Sequence, residues 1–248
     1  MNKISIVVPC YFNEGNIPVT TSALIRNERL FDSNVFFEYV FVDDGSEDGT
    51  LANLLEFEKQ YRKRVTIIKL AYNVGSYNAI YAGLKHAEGD CIVVMAADLQ
   101  DPPELILKMY EEWTKGVKVV FANRETDSNI FAGVFNLLLK TVALPNLPEG
   151  GSDFCLFDKE AKEGLLAKME PDINSLYLLL TLGYQHSTIT YQKRIRKIGT
   201  SKWTTKKKFK LAWATLRWFS SERFPIVAYF WRTEQTEPPA PFVIDEVF

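Results

Sequence analysis

Five short runs rich in Val and Ile, namely Ile4–Pro9, Tyr39–Val42, Val65–Leu70, Cys91–Met95 and Val117–Ala122, alternate with stretches of helical apolar spacing. The intervening stretches are Asn16–Leu30, Gly49–Tyr61, Ser76–Ala87 and Pro103–Lys115. Strands that are apolar almost throughout must be buried on both faces, and the helices between them supply the cover. The first half therefore predicts a doubly wound, mostly parallel α/β sheet of the nucleotide-binding type, with helices on both faces. Such a sheet presents its functional groups on the carboxyl edge, where strand ends and loops meet.

Three strand ends carry polar groups at that edge. The second run ends in Val42-Asp43-Asp44-Gly45-Ser46-Glu47-Asp48-Gly49-Thr50. Asp48 reads as a cap for the next helix. Asp43 and Asp44 are either turn residues or acceptors for a base edge and ribose hydroxyls. The first run ends in Pro9-Cys10-Tyr11-Phe12-Asn13-Glu14, where Pro9 and Tyr11 suit a wall against a flat base and Asn13 and Glu14 suit polar contacts. The fourth leads through Ala96 and Ala97 into Asp98-Leu99-Gln100-Asp101-Pro102-Pro103-Glu104. Asp98 is placed to meet a metal-bound phosphate. Ala96 stands where a second carboxylate is expected, and Asp101 reads as the cap of the helix that Pro102 and Pro103 open.

These motifs, with Asn73-Val74-Gly75, Ala79 and Gly83, resemble family 2 glycosyltransferases of the GT-A fold, and among them the polyprenyl-phosphate sugar transferases. The resemblance covers roughly residues 3–220. It implies inverting transfer of a sugar from a UDP- or GDP-sugar, with Mg²⁺ or Mn²⁺, to polyprenyl phosphate or a lipid-linked glycan. Pro9, Tyr11, Asn13, Glu14, Asp43, Asp44, Asn73, Ala97, Asp98 and Arg124 would contact the nucleotide-sugar. Asp98 and the amide of Gln100 would hold the metal, which neutralises a leaving diphosphate. Glu149-Gly150-Gly151-Ser152-Asp153-Phe154 resembles the family's Gly-Asp-Phe-Arg site, which makes Asp153 the candidate base. Cys155 stands where relatives carry the arginine. Arg196-Lys197-Ile198-Gly199-Thr200-Ser201-Lys202-Trp203 resembles the Arg-x-x-Gly-x-Ser-Lys-aromatic loop, so Arg196, Ser201, Lys202 and Trp203 would bind phosphate or acceptor.

Charge is unevenly spread. Ten of the 29 Lys and Arg fall between Gln192 and Arg217 without a single acid, leaving 19 against all 31 acids elsewhere. An acidic body with one basic segment points to an anionic partner. Thr204–Phe219 reads as a basic amphipathic helix suited to an anionic membrane surface, or to packing on protein. No run approaches the roughly 18 apolar residues of a membrane span, and the N-terminus enters a strand without a signal segment. A cytoplasmic protein, peripheral on the inner membrane face, is expected. Cys10, Cys91 and Cys155 lie in apolar surroundings without metal spacing and read as buried thiols. His86 and His186 show no zinc spacing. A nucleic-acid partner would not explain the acidic loops, and a homo-oligomer is left open.

The chain divides into a catalytic-type domain over 1–192, a basic loop and interface helix over 193–233, and a Pro-rich tail over 234–248, expected to be extended or disordered. Within the first unit, Ile130–Leu144 reads as a buried apolar helix. Ala96 and Cys155 also admit a different class, a non-catalytic membrane-associated nucleotide-sugar-binding protein of the same fold.

Overall fold

The computed structural model describes residues 1–125, 137–141, 144–148, 153–169, 173–196, 198–199, 205–223 and 242–248. Eight strands form one sheet: β1 (Asn2–Cys10), β2 (Val35–Asp43), β3 (Val65–Leu70), β4 (Cys91–Val94), β5 (Val119–Arg124), β6 (Phe154–Asp158), β7 (His186–Tyr191) and β8 (Ile244–Val247). Their order across the sheet is β7-β5-β6-β4-β1-β2-β3-β8. Pairing is parallel for β1 with β2 and β4, for β2 with β3, and for β5 with β7. β6 is antiparallel to both β4 and β5.

Side chains along β1 divide cleanly between two cores. Ile4, Ile6, Val8 and Cys10 face helices α1 (Ile17–Glu28), α2 (Thr50–Tyr61) and α4 (Leu105–Thr114), while Val7 faces α3 (Ser76–His86) and α5 (Lys159–Lys168). Every strand from β1 to β6 is buried along most of its length, as the continuous apolar runs require. Cys10, Cys91 and Cys155 are buried and free, and burial pushes each thiol up.

Ser175–Thr181 form a 3₁₀ helix. The end of the chain is a strand: Ile244–Val247 pairs antiparallel with β3, and Phe248 exchanges backbone hydrogen bonds with Ile67. β3 would otherwise be an open edge, and pairing satisfies its donors and acceptors. The greater part of Ile130–Leu144, and all of residues 224–241, lie outside the described residues.

α3 approaches the sheet through Gly83. A Cβ there would stand 2.5 Å from Val7 Cγ1 and 3.0 Å from Val42 Cγ2. The glycine's cost in helix propensity is thus offset by closer packing. Gly83→Ala should destabilise the fold by roughly 1–3 kcal/mol through overpacking. A urea midpoint equal to or above the wild-type value would refute this contact.

Candidate functional site

The carboxyl ends of β1 through β5 and β7, together with the amino end of the antiparallel β6, fall on one edge of the sheet. Strand order reverses between β1 and β4, and a crevice opens where the loops diverge. A shallow depression on the opposite edge, between Asn2, Trp113, Val117 and Asp158, carries no comparable set of groups.

On one side of the crevice the loops after β1 and β2 are laced together. Phe12 N–H donates to Ser46 Oγ at 3.0 Å, Asn13 N–H to Thr50 Oγ1 at 2.7 Å, and Glu14 N–H to Asp48 Oδ2 at 3.3 Å. Asn13 Oδ1 accepts from Tyr11 N–H, and Tyr11 packs edge-on against Phe12 at 4.7 Å. Phe12 adopts a left-handed φ of 52°, a strained conformation for an aromatic residue. Pro9 and Tyr11 are part-buried at the end of β1. Gly49, not Asp48, is the cap residue of α2; Asp48, one position earlier, accepts from Thr50 N–H at 3.1 Å.

The two acids after β2 have separate surroundings. Asp44 is buried and accepts from Val74 N–H at 2.7 Å, Gly75 N–H at 3.0 Å and Asn73 Nδ2 at 2.7 Å. Its carboxylate holds the loop after β3, and Asn73 serves that lock as well. Asp43 is buried beneath, accepting from Ser46 N–H at 3.3 Å.

Across the crevice stands the loop after β4. Ala97 is buried, its carbonyl accepting from Thr20 of α1. Leu99 takes a left-handed φ of 53°, which separates Asp98 from Gln100 on a tight turn. Asp98 is only 9% exposed; its Oδ1 accepts from Gln100 N–H, and its Oδ2 lies 2.6 Å from Arg196 Nη2. Arg196 Nη2 also donates to Gln100 Oε1 at 3.3 Å. The segment carrying Arg196 is pinned by Arg194 N–H to Gln100 O at 2.9 Å, and by the Arg194–Glu104 pair at 3.0 Å.

A second centre forms around Arg124 at the end of β5. Its Nε lies 3.5 Å from Asp101 Oδ1 and its Nη2 3.9 Å from Asp153 Oδ2. Asp101 does not act as the expected helix cap: it is buried and accepts from Tyr191 OH, whose oxygen in turn accepts from Arg124 Nε. Burial would draw the guanidinium down, but Asp101 and Asp153 outweigh it and hold Arg124 firmly protonated. Asp153 is half exposed and accepts from Tyr77 OH at 2.8 Å. Cys155 lies in the core, so the cation beside Asp153 comes from β5 instead. Lys193 stands at the rim. Partial burial and Arg124 pull its ammonium down, while Asp101, Asp98 and Asp153 pull it up, so one ammonium senses both centres.

The glycosyl transferase family 2 model matches residues 5–134. The chain belongs to glycosyltransferase family 2. It is 34% identical over 233 residues to an uncharacterized glycosyltransferase, YkcC, of Bacillus subtilis strain 168, covering 92% of this chain and 71% of that one. It is 32% identical over 232 residues to the bactoprenol glucosyl transferase of Shigella phage SfX, covering 90% of this chain and 74% of that one. Among solved structures it resembles a mannosyltransferase of Pyrobaculum calidifontis in complex with GDP-Man and Mn²⁺, with a TM-score of 0.57 and 20% identity. That likeness spans 96% of this chain and 77% of the other. It also resembles a glucosyl-3-phosphoglycerate synthase of Mycobacterium tuberculosis in complex with Mn²⁺, UDP-Glc and phosphoglyceric acid, at TM-score 0.59, 16% identity, and 90% and 79% coverage. These likenesses establish the GT-A fold.

The donor set of this glycosyltransferase fits a divalent cation in one respect: Asp98 and Gln100 already converge on a single positive group. Among the described residues no three His, Cys, Asp or Glu side chains gather as a cation cage, and Ala96 adds no acid. One or two carboxylates completed by phosphate oxygens suit Mg²⁺. Motif reading picked out Asp98, Gln100, Asp153 and Arg124, which the fold brings to one edge. It missed Tyr77, Asp101, Tyr191 and Lys193, of which Asp101 alone had a visible signal, its place in the Asp98 motif. Ser201, Lys202 and Trp203 lie outside the described residues.

Desolvation holds the Asp43 carboxyl above its ordinary 3.8, against the lowering effect of Ser46. Folding then favours its protonated form, so its contribution to stability is full below 3.8 and is lost as pH rises through the folded value. Asp43→Asn removes this loss. Its urea midpoint should gain on that of the wild type as pH rises above 3.8; a difference that stays constant with pH would contradict the assignment.

Proposed function

We propose that this enzyme transfers a sugar, with inversion, from a UDP- or GDP-sugar to a lipid-linked acceptor, polyprenyl phosphate or a lipid-linked glycan, at the inner face of the membrane. The observation that carries the reading is the gathering of Asp98, Gln100 and Arg196 with Asp153 and Arg124 on the β4 side of the switch-point crevice. Relatives named bactoprenol glucosyl transferase support the acceptor class.

In this reading the nucleoside lies against Pro9 and Tyr11, with Asp43 and the loop locked by Asp44 and Asn73 beneath it. Asn13 and Glu14 shape the same loop. Asp98 and Gln100 would hold Mg²⁺ or Mn²⁺, which when bound neutralises charge on the leaving diphosphate. Arg196 is aimed at the same phosphates, with Ser201, Lys202 and Trp203 following it in sequence. An acceptor oxygen attacks the anomeric carbon as the bond to the diphosphate breaks. A hydroxyl acceptor gives its proton to Asp153; a phosphate anion needs no base. Tyr77 and Arg124 orient Asp153, and Arg124 and Lys193 line the path of an anionic acceptor. Turnover with a panel of UDP- and GDP-sugars, Mg²⁺ or Mn²⁺ and polyprenyl phosphate tests the proposal. Asp98→Ala should cost at least about a hundredfold in kcat/KM; an unaffected variant would remove Asp98 from the mechanism.

The membrane contact is assigned to helix α6 (Thr205–Arg223). Its inner face is packed: Phe219 is 2% exposed, and Thr215 Oγ1 accepts from Asn174 N–H at 3.0 Å. Its outer face shows Phe209 at 71% and Trp213 at 59%, one turn apart beside exposed Lys210 and Arg217. An aromatic pair among cations suits the headgroup boundary. Among the described residues no helix is long and apolar enough to cross a membrane. Flotation with anionic vesicles should recover the protein, and a Phe209→Ser, Trp213→Ser variant should stay behind. Equal flotation of both would locate the contact elsewhere.

A further inference from the structure

Asp98 and Gln100, the two groups expected to hold a metal, both touch the same nitrogen of this chain. Arg196 Nη2 lies 2.6 Å from Asp98 Oδ2 and 3.3 Å from Gln100 Oε1, and the remaining carboxylate oxygen accepts from Gln100 N–H at 3.1 Å. We propose that Arg196 is a resident counter-cation which a divalent metal must displace from Asp98, so that metal binding depends on a nucleotide diphosphate drawing Arg196 away. The inference rests on the reading of Asp98 and Gln100 as the cation ligands.

The exchange follows from three features. A guanidinium stays charged at any working pH, so no protonation change releases Asp98; another anion must take the guanidinium. A diphosphate is such an anion, and its oxygens accept two parallel bonds from the fork. With Ala96 in place of a second acid, a metal arriving alone finds one carboxylate that is already paired. Stripping Asp98 of its cation would leave a largely buried charge uncompensated, so departure of Arg196 and arrival of the metal go together. The backbone just before Arg196 is held by Arg194 N–H to Gln100 O, and the Ile198 side chain lies against Gly15, where any Cβ would stand 2.9 Å from its Cγ2. The side chain of Arg196 is therefore the part that exchanges. Linkage makes the effect mutual: nucleotide tightens metal by the factor by which metal tightens nucleotide.

The test titrates Mn²⁺ into the full chain and follows free Mn²⁺ by electron paramagnetic resonance, first without nucleotide and then with UDP or GDP. Without nucleotide, Arg196→Gln should bind Mn²⁺ at least about tenfold more tightly than the wild type. Nucleotide should then tighten Mn²⁺ by a larger factor in the wild type than in the variant. Ala96→Asp, which leaves Arg196 in place, should also tighten Mn²⁺ alone, and serves if Arg196→Gln does not fold. Unchanged or weaker nucleotide-free Mn²⁺ binding in either folded variant overturns the proposal. Absence of sugar transfer would instead defeat the functional reading and leave the nucleotide-free comparison standing.

Discussion

A sheet covered by helices on both faces has only its edges to offer a ligand, and parallel pairing sends most strand ends to the same edge. Here that constraint gathers Asp43, Asp44, Asp98, Arg124 and Tyr191 from four different strands or the residues just after them. The antiparallel β6 adds Asp153 from its amino end, because reversing one strand within the sheet brings its start to the common edge. The two buried cores do not touch substrate, yet they determine which loops can meet. α3 set close on Val7 and Val42 keeps the Asn73–Gly75 loop within reach of Asp44.

Carboxylates concentrated at one edge repel one another, and each must be satisfied before any ligand arrives. The chain does this in three ways. Asp44 is taken up by backbone and amide N–H groups and becomes part of the scaffold. Asp98 and Asp101 are neutralised by Arg196 and Arg124, whose delocalised cations tolerate partial burial. Asp43 has the weakest compensation, and desolvation raises its proton affinity. Adjacent acids in one motif thus have different physical fates, set by which donors the neighbouring loops supply.

The strands and most of their parallel pairing were legible because near-continuous Val and Ile runs admit little else, and the placement of Asp98, Gln100 and Asp153 at one sheet edge followed from where their motifs meet the strand ends. The role of Asp101 was not, since an acid before Pro-Pro also suits a helix cap; the deciding partners, Tyr191 and Arg124, are 90 and 23 residues away. Asp44 and Asn73 suggested ligand contacts individually, and only their hydrogen bonding to each other shows a loop lock. The reversed direction of β6 follows from insertion between β4 and β5, a topological fact without a local signal. The closing strand β8 is short and partly acidic; Lys69 facing Asp245 and Glu246 stabilises it across the edge of β3.

Ala96 makes sense when the charges are considered together. Asp98, Asp101, Glu104 and Asp153 are matched around the crevice by Arg124, Lys193, Arg194 and Arg196. An acid at position 96 would leave this set negative and repel a diphosphate approaching without metal. With alanine there the set is balanced, and the anion meets guanidinium groups ready to be shared. On the proposed function, a nucleoside diphosphate-sugar and a divalent cation also cancel each other's charge, so the pair would enter a neutral site without leaving a net field behind. Either partner alone must create an imbalance in a partly desolvated place, where charge is least screened. The missing carboxylate therefore does not simply weaken a metal site. On the proposed reading of Asp98 and Gln100 as cation ligands, it moves the work of holding the cation from the protein to the nucleotide, and leaves Arg196 to keep Asp98 compensated in the interval.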